Sequence, residues 1–189
     1  MPRIVKFISD TETIEVGFAA AAKLSKLVET LGAVTTDEED VLEVPLCPTG
    51  VIVSSHTLAS IREYMLEYGE GSKAPTNFPQ PLSAEIETFA NPFEKEFLLK
   101  QLGGDGLNPT DNLNLLVLYK TAQFLKMTNN LAKLLAGWIA SRIMEITNRH
   151  RLAWDAAEKI RELLHMNNDW LPDDADRLAT EREWPEDDE

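Results

Sequence analysis

The side chains with chemical potential are few and scattered. The three histidines, His56, His150 and His165, form no H-E-x-x-H motif and no i, i+4 pair. His56 follows Ser54-Ser55, which raises a nucleophile and base. Adjacent residues at a helix start do not face one another, so the same residues read better as a helix cap. The single cysteine, Cys47, lies between Leu46 and Pro48 without a basic neighbour. An inert thiol, buried or half-buried, is expected there. Asp10, Glu12 and Glu15 resemble the start of a calcium loop, but the loop's glycine and closing glutamate are missing. Gly103-Gly104-Asp105-Gly106 lacks the lysine of a phosphate cradle and reads as a loop. No catalytic set emerges, so the chain is expected not to be an enzyme, with no cofactor and no metal.

The tryptophans carry more information. Trp138, Trp154, Trp170 and Trp184 all fall in the final 52 residues. A compact helical core explains them, and so does an interaction surface. A short helical tail buries little on its own, and unpaired apolar helices find a second layer in a partner.

Composition narrows the partners. The 189 residues hold 32 acids and 18 bases, a net charge of -14 that disfavours phosphate backbones and anionic lipid. Nucleic acid and membrane are therefore not expected as partners. One cysteine excludes an internal disulfide framework. The longest apolar run, Leu134 to Ala140, is too short for a bilayer, and MPRIVKF lacks a signal-peptide core. A cytoplasmic and nuclear protein is expected.

The elements that must hold these residues change character along the chain. Alternation over 3–8 predicts a strand, and 13–16 a second that makes a hairpin. Leu24, Leu27, Val28 and Leu31 predict one helix stopping at Gly32. After an acidic loop at 37–40, Val41 to Val44 predicts a strand closed by Pro45. Leu58, Ile61, Met65 and Tyr68 mark another helix. Glycines and prolines over 69–83 predict a long loop. A second break follows at Gly103-Gly104-Asp105-Gly106 and Pro109, and after it the chain is helical. Leu113, Leu116 and Val117 begin one helix that runs through Phe124. Leu131, Leu134, Leu135, Trp138, Ile139, Ile143 and Ile146 form one predicted stripe, and Ala157, Ile160 and Leu164 another. Leu171-Pro172-Asp173-Asp174 predicts a last helix start. Strands mixed with helices, then helices alone, predict an α+β domain with a helical extension.

At the level of motifs, Ala157 to Trp184 (AEKIRELLHMNNDWLPDDADRLATEREW) resembles the closing segment of the S-phase kinase-associated protein one family. That family supplies the F-box-binding adaptor of SCF cullin-RING ubiquitin ligases. Ile4 to Val16 is similar to its opening hairpin, Val44-Pro45-Leu46 to its V-P-L strand, and Phe93 to Phe97 to its W-D-x-E-F. Ala122 to Met127 is similar to its A-N-Y-L-D-I. The likeness is specific in the closing segment and diffuse elsewhere, as in a divergent member.

The resemblance implies a BTB/POZ domain over 1–146, with a variable loop at 69–91, and a C-terminal helical extension over 147–189 completing the F-box-binding surface. It implies a non-catalytic adaptor bridging F-box proteins to a cullin. Carried over by position, the cullin-facing residues are Gln123, Phe124 and Met127. The F-box-facing residues are Ile139, Ile143, Ile160, Leu163, Leu164, Met166, Asn168, Asp169, Trp170, Leu178 and Trp184. Lys126 stands where the family has an acid, and Lys120 lies one turn before Phe124. Those charges leave a second reading open, an F-box-binding structural subunit of a kinetochore-like or other assembly without a cullin. An elongin C-like adaptor fits less well, because that family ends after the BTB/POZ core while this chain continues over 147–189. A small enzyme is the remaining alternative, and a pocket with perturbed acids would favour it.

Overall fold

A computed structural model describes residues 3–35, 40–70, 72–77, 85–104, 106–107, 109–150 and 153–166. The described chain is α+β, with a three-stranded sheet and eight helices.

The sheet is built on strand β1 (Ile4–Ile8). Strand β2 (Thr13–Gly17) pairs with it antiparallel and β3 (Val41–Pro45) parallel, giving the order β2-β1-β3. Register follows the apolar alternation. Val5 sits opposite Val16 and Leu42, and Phe7 opposite Ile14 and Val44. Val5 and Phe7 are fully buried, whereas Ile4 and Ile8 on the other face are half-buried.

The single helix expected around Leu24 to Leu31 is two: α1 (Phe18–Leu24) and α2 (Lys26–Val34), which runs past Gly32. Ser25 divides them. Its hydroxyl donates to the Leu125 carbonyl at 2.6 Å and accepts the Val28 amide at 3.2 Å. A buried serine with a long-range acceptor holds an extended backbone and caps the second helix. The helical period continued across the break, so periodicity alone did not reveal it.

Helix α3 (Ser55–Gly69) is capped by Ser54, which accepts the Thr57 amide at 3.2 Å. That is the capping role expected for the serines beside His56. Leu58, Ile61, Tyr64 and Met65 are fully buried and Tyr68 nearly so. Gly69 ends this helix against Ala20, where a Cβ would lie 2.8 Å from the Ala20 Cα. After the short turn α4 (Ile86–Phe89), helix α5 (Pro92–Gln101) opens with a capping box between Asn91 and Glu94. Glu94, 1% exposed, also accepts the Thr76 amide at 2.9 Å and so fastens the preceding loop. Phe93 and Phe97 join Tyr64 and Tyr68 in an aromatic cluster with ring centroids 4.8–6.4 Å apart.

Helices α6 (Pro109–Phe124), α7 (Leu131–Arg149) and α8 (Ala153–Leu163) complete the chain. Helix α6 packs on α3, α7 on α6, and α8 chiefly on α7. Ser141 of α7 accepts the Ile86 amide at 2.8 Å and ties α4 to this layer. Gly106, at φ +76°, lies against the Trp138 ring, where a Cβ would clash at 2.3 Å. Trp138 itself is 2% exposed, which makes it a core residue rather than part of an interaction surface.

Candidate functional site

Helices α6 and α7 are each apolar on two faces. On α6, Leu115, Leu118 and Ala122 are buried in the core. The neighbouring face carries Leu113, Leu116, Val117, Lys120 and Gln123 at one-turn spacing. On α7, Leu131, Leu134, Leu135 and Trp138 point inward. Ala136, Ile139, Ala140 and Ile143, at i, i+3, i+4 and i+7, line a second face, on which Ile139 still packs partly against that core. The stripe expected as one is therefore two, and Ile139 and Ile143 belong to the outer one.

These outer faces meet in an open groove of about 640 Å³. Gly50 and Val51 close one side, and Leu164 and His165 at the end of α8 close another. The alanines of α7 leave room that larger side chains would fill. Ile52, 73% exposed, and Leu113, 49% exposed, extend the apolar surface past the groove mouth. Single exposed apolar residues are ordinary, but a continuous concave run of them marks a binding surface.

Polar groups at the groove are sparse. Tyr119 accepts the Gln123 amide at 2.7 Å through its hydroxyl. Lys120 is exposed and makes no hydrogen bond or ion pair among the described residues. No aspartate or glutamate lines the groove among the described residues. The arrangement suits an apolar ligand surface and offers no acid–base pair.

The turn after α6 carries Lys126 at φ +54°, exposed. It turns the chain so that the Met127 amide reaches the Ala122 carbonyl at 2.9 Å. Met127, expected on the cullin-facing surface, is fully buried by this turn and belongs to the core. Gln123 is exposed, and Phe124 is half-buried against the core.

Of the F-box-facing residues, Ile139, Ile143 and Leu164 line the groove. Ile160 is half-buried beside a second, small cluster of Ile146, Ala156 and Leu163. Leu163 is fully buried there, its carbonyl accepting the Asn112 side-chain amide at 3.1 Å, so it supports the groove from behind. Met166 is 60% exposed. Asn168, Asp169, Trp170, Leu178 and Trp184 lie outside the described residues. Leu113, Leu116, Val117, Ala136, Ala140 and Val51 were not expected at the site. A second apolar period beside the first was their signal in α6 and α7.

The residues first considered for chemistry are placed apart. His56 is exposed, with Nε2 3.0 Å from Gln101 Oε1. Cys47 is exposed rather than buried, because it lies in an extended stretch after β3 that nothing covers among the described residues. Among the described residues no group of three His, Cys, Asp or Glu side chains stands close enough to hold a metal ion. No helix there is long and apolar enough to cross a membrane.

Neither the protein-family models nor the curated proteins compared with this chain match it.

Proposed function

We propose that this chain is a non-catalytic adaptor that bridges F-box proteins to a cullin scaffold in an SCF-type ubiquitin ligase, built on a BTB/POZ-like domain. The observation that carries the reading is the apolar groove between α6 and α7, closed by Leu164 and His165 and lined by Ile139 and Ile143. Three of these residues, Ile139, Ile143 and Leu164, are ones that the sequence resemblance implies as F-box contacts. A helix laid in such a groove is held by apolar anchors at i, i+3, i+4 and i+7 spacing. Each fully buried anchor contributes about 1.5–3 kcal/mol.

A second reading, an F-box-binding structural subunit of an assembly without a cullin, is favoured by the other face. Met127 offers no side chain there and Lys126 stands exposed beside Phe124, whereas Lys120 lies on the groove lining. A charge pattern changed in this way alters partner choice more than raw affinity.

Binding of the purified chain to an F-box segment and, separately, to a cullin N-terminal fragment tests both readings. Capture of both, with Phe124→Ala losing only the cullin, supports the ligase adaptor. Capture of the F-box segment alone supports the structural subunit. Capture of neither removes both.

A further inference from the structure

We infer that the partner seated in the α6–α7 groove is an amphipathic helix of another protein that carries an aspartate or glutamate within its apolar face, opposite Lys120. The inference rests on the reading of this groove as the partner-binding surface and adds the chemistry by which it selects among helices.

The position of Lys120 carries it. Lys120 lies three residues after Val117, four after Leu116 and seven after Leu113, so it falls within the apolar wall of α6 rather than beside it. Its aliphatic stem lies along such a wall while the ammonium stays in water. A wholly apolar partner closing over that point strips the ammonium of water and returns nothing.

The described chain offers this charge no counter-ion. The positions one turn away on α6, Leu116, Val117, Gln123 and Phe124, hold no acid. Across the groove α7 presents Ala136, Ile139, Ala140 and Ile143. The other titratable groups of the lining are Tyr119 and His165, neither of them a carboxylate. Lysines elsewhere behave differently. Lys6, Lys26, Lys73, Lys100 and Lys159 each reach a carboxylate within 3.4 Å. In a chain with 32 acids and 18 bases, an acid-free lining around a lysine sets this surface apart.

Charge then decides among occupants. A second copy seated symmetrically brings the same lining, so each Lys120 meets a surface with a lysine and no acid. The two chains would also each carry a net charge of -14. A foreign helix with one carboxylate in its apolar face removes both difficulties. The geometry also sets the spacing. Leu113 and Lys120 are about 10 Å apart along α6, at 1.5 Å per helical residue. Ile52 and Leu113 continue the apolar surface beyond the groove mouth. A helix lying along α6 therefore places its acid about two turns from the apolar residue that covers Leu113 and Ile52.

Synthetic helices test this on the full chain. Each peptide is about 18 residues long, enough to hold a helix in water, with leucines at i, i+3, i+4 and i+11. Three versions carry glutamate, glutamine or lysine at i+7, and binding is read by fluorescence anisotropy. The glutamate peptide should bind about two- to fivefold more tightly than the glutamine one, the range an exposed ion pair carries, and the lysine peptide more weakly than both. The advantage should shrink as salt is raised. Lys120→Glu should reverse the order, Lys120→Met should level it, and Leu113→Gln should weaken all three peptides alike.

Equal binding of the three peptides to the unaltered chain would overturn the inference, as would binding of none. So would binding that Leu113→Gln leaves unchanged, because the peptides would then sit elsewhere. A dimer in sedimentation that the glutamate peptide fails to dissociate would overturn it in favour of a second copy. The adaptor reading stands or falls separately, on capture of the F-box segment and the cullin fragment.

Discussion

Helices α3 and α7 show two ways of using an apolar sequence. Every large apolar residue on the inner face of α3 meets another within the chain, and Leu58, Ile61, Tyr64 and Met65 are completely enclosed. Helix α7 encloses one face with Leu134, Leu135 and Trp138 but leaves Ile139 and Ile143 half-buried over a groove. The first region is closed by the sheet, α1 and the aromatic rings of α5. In the second, Ile139 packs partly on the main core and Ile143 on the small cluster under α8, and both still border the groove. Burial proportional to apolar area makes the first region the source of stability and leaves the second with surface still to bury.

The largest effect that sharpens this contrast is expected from Phe97→Ala. It empties the aromatic cluster and should cost about 3–5 kcal/mol in urea unfolding. A cost under about 1 kcal/mol would show the first region to be loosely packed. Leu163→Ala comes next, at about 2 kcal/mol, the low end for leucine because the small cluster can collapse. Hydrogen exchange should quicken in α8 and leave α3 protected. Equal quickening in both would break the comparison, since the two regions would then open as one unit.

A third effect is expected in alkali. Burial pushes the Tyr68 hydroxyl up to about 12, against the lowering effect of its Asn91 hydrogen bond. Burial raises Tyr64 as well, with Glu94 adding to it. The unfolded chain ionises its tyrosines near 10, so it releases those protons first. The stabilisation is complete below about pH 10 and is lost as pH climbs toward 12. Tyr68→Phe should flatten that part of the stability curve.

Smaller still is Tyr64→Phe. The Tyr64 hydroxyl is buried with no hydrogen-bond partner among the described residues, so its removal should be neutral or stabilising by up to about 1 kcal/mol. A clear loss would mean that the hydroxyl has a partner in solution. The smallest stability change is expected for Leu113→Gln on the open groove, within about 0.5 kcal/mol. The same substitution should weaken any helix bound in the groove. A stability loss as large as that of Leu163→Ala would make Leu113 a core residue.

How far the sequence could be read depended on whether the signal was local. The hairpin, β3, α3 and the Ser54 cap follow from alternation, period and capping chemistry within a few residues. The break at Ser25 was not legible, because its cause is an oxygen 100 residues away on Leu125. The burial of Met127 was equally hidden, since it depends on the left-handed turn at Lys126. On the α7 and α8 side of the groove, Ile139, Ile143 and Leu164 were implied by the family resemblance. The α6 half was not, because apolar residues on two faces of one helix do not say which face meets the core.

By itself, the sequence determined the α+β order, the apolar excess of the helices after residue 109 and the concentration of acid in 167–189. Each of these is a property of neighbours along the chain. Only the tertiary structure decided that Trp138 goes inward while Ile139, beside it, borders a groove, and that Lys120 stands on a largely apolar lining. Adjacent residues on a helix diverge by about 100°, and which direction is interior is fixed by the layers packed around the helix rather than by the helix itself.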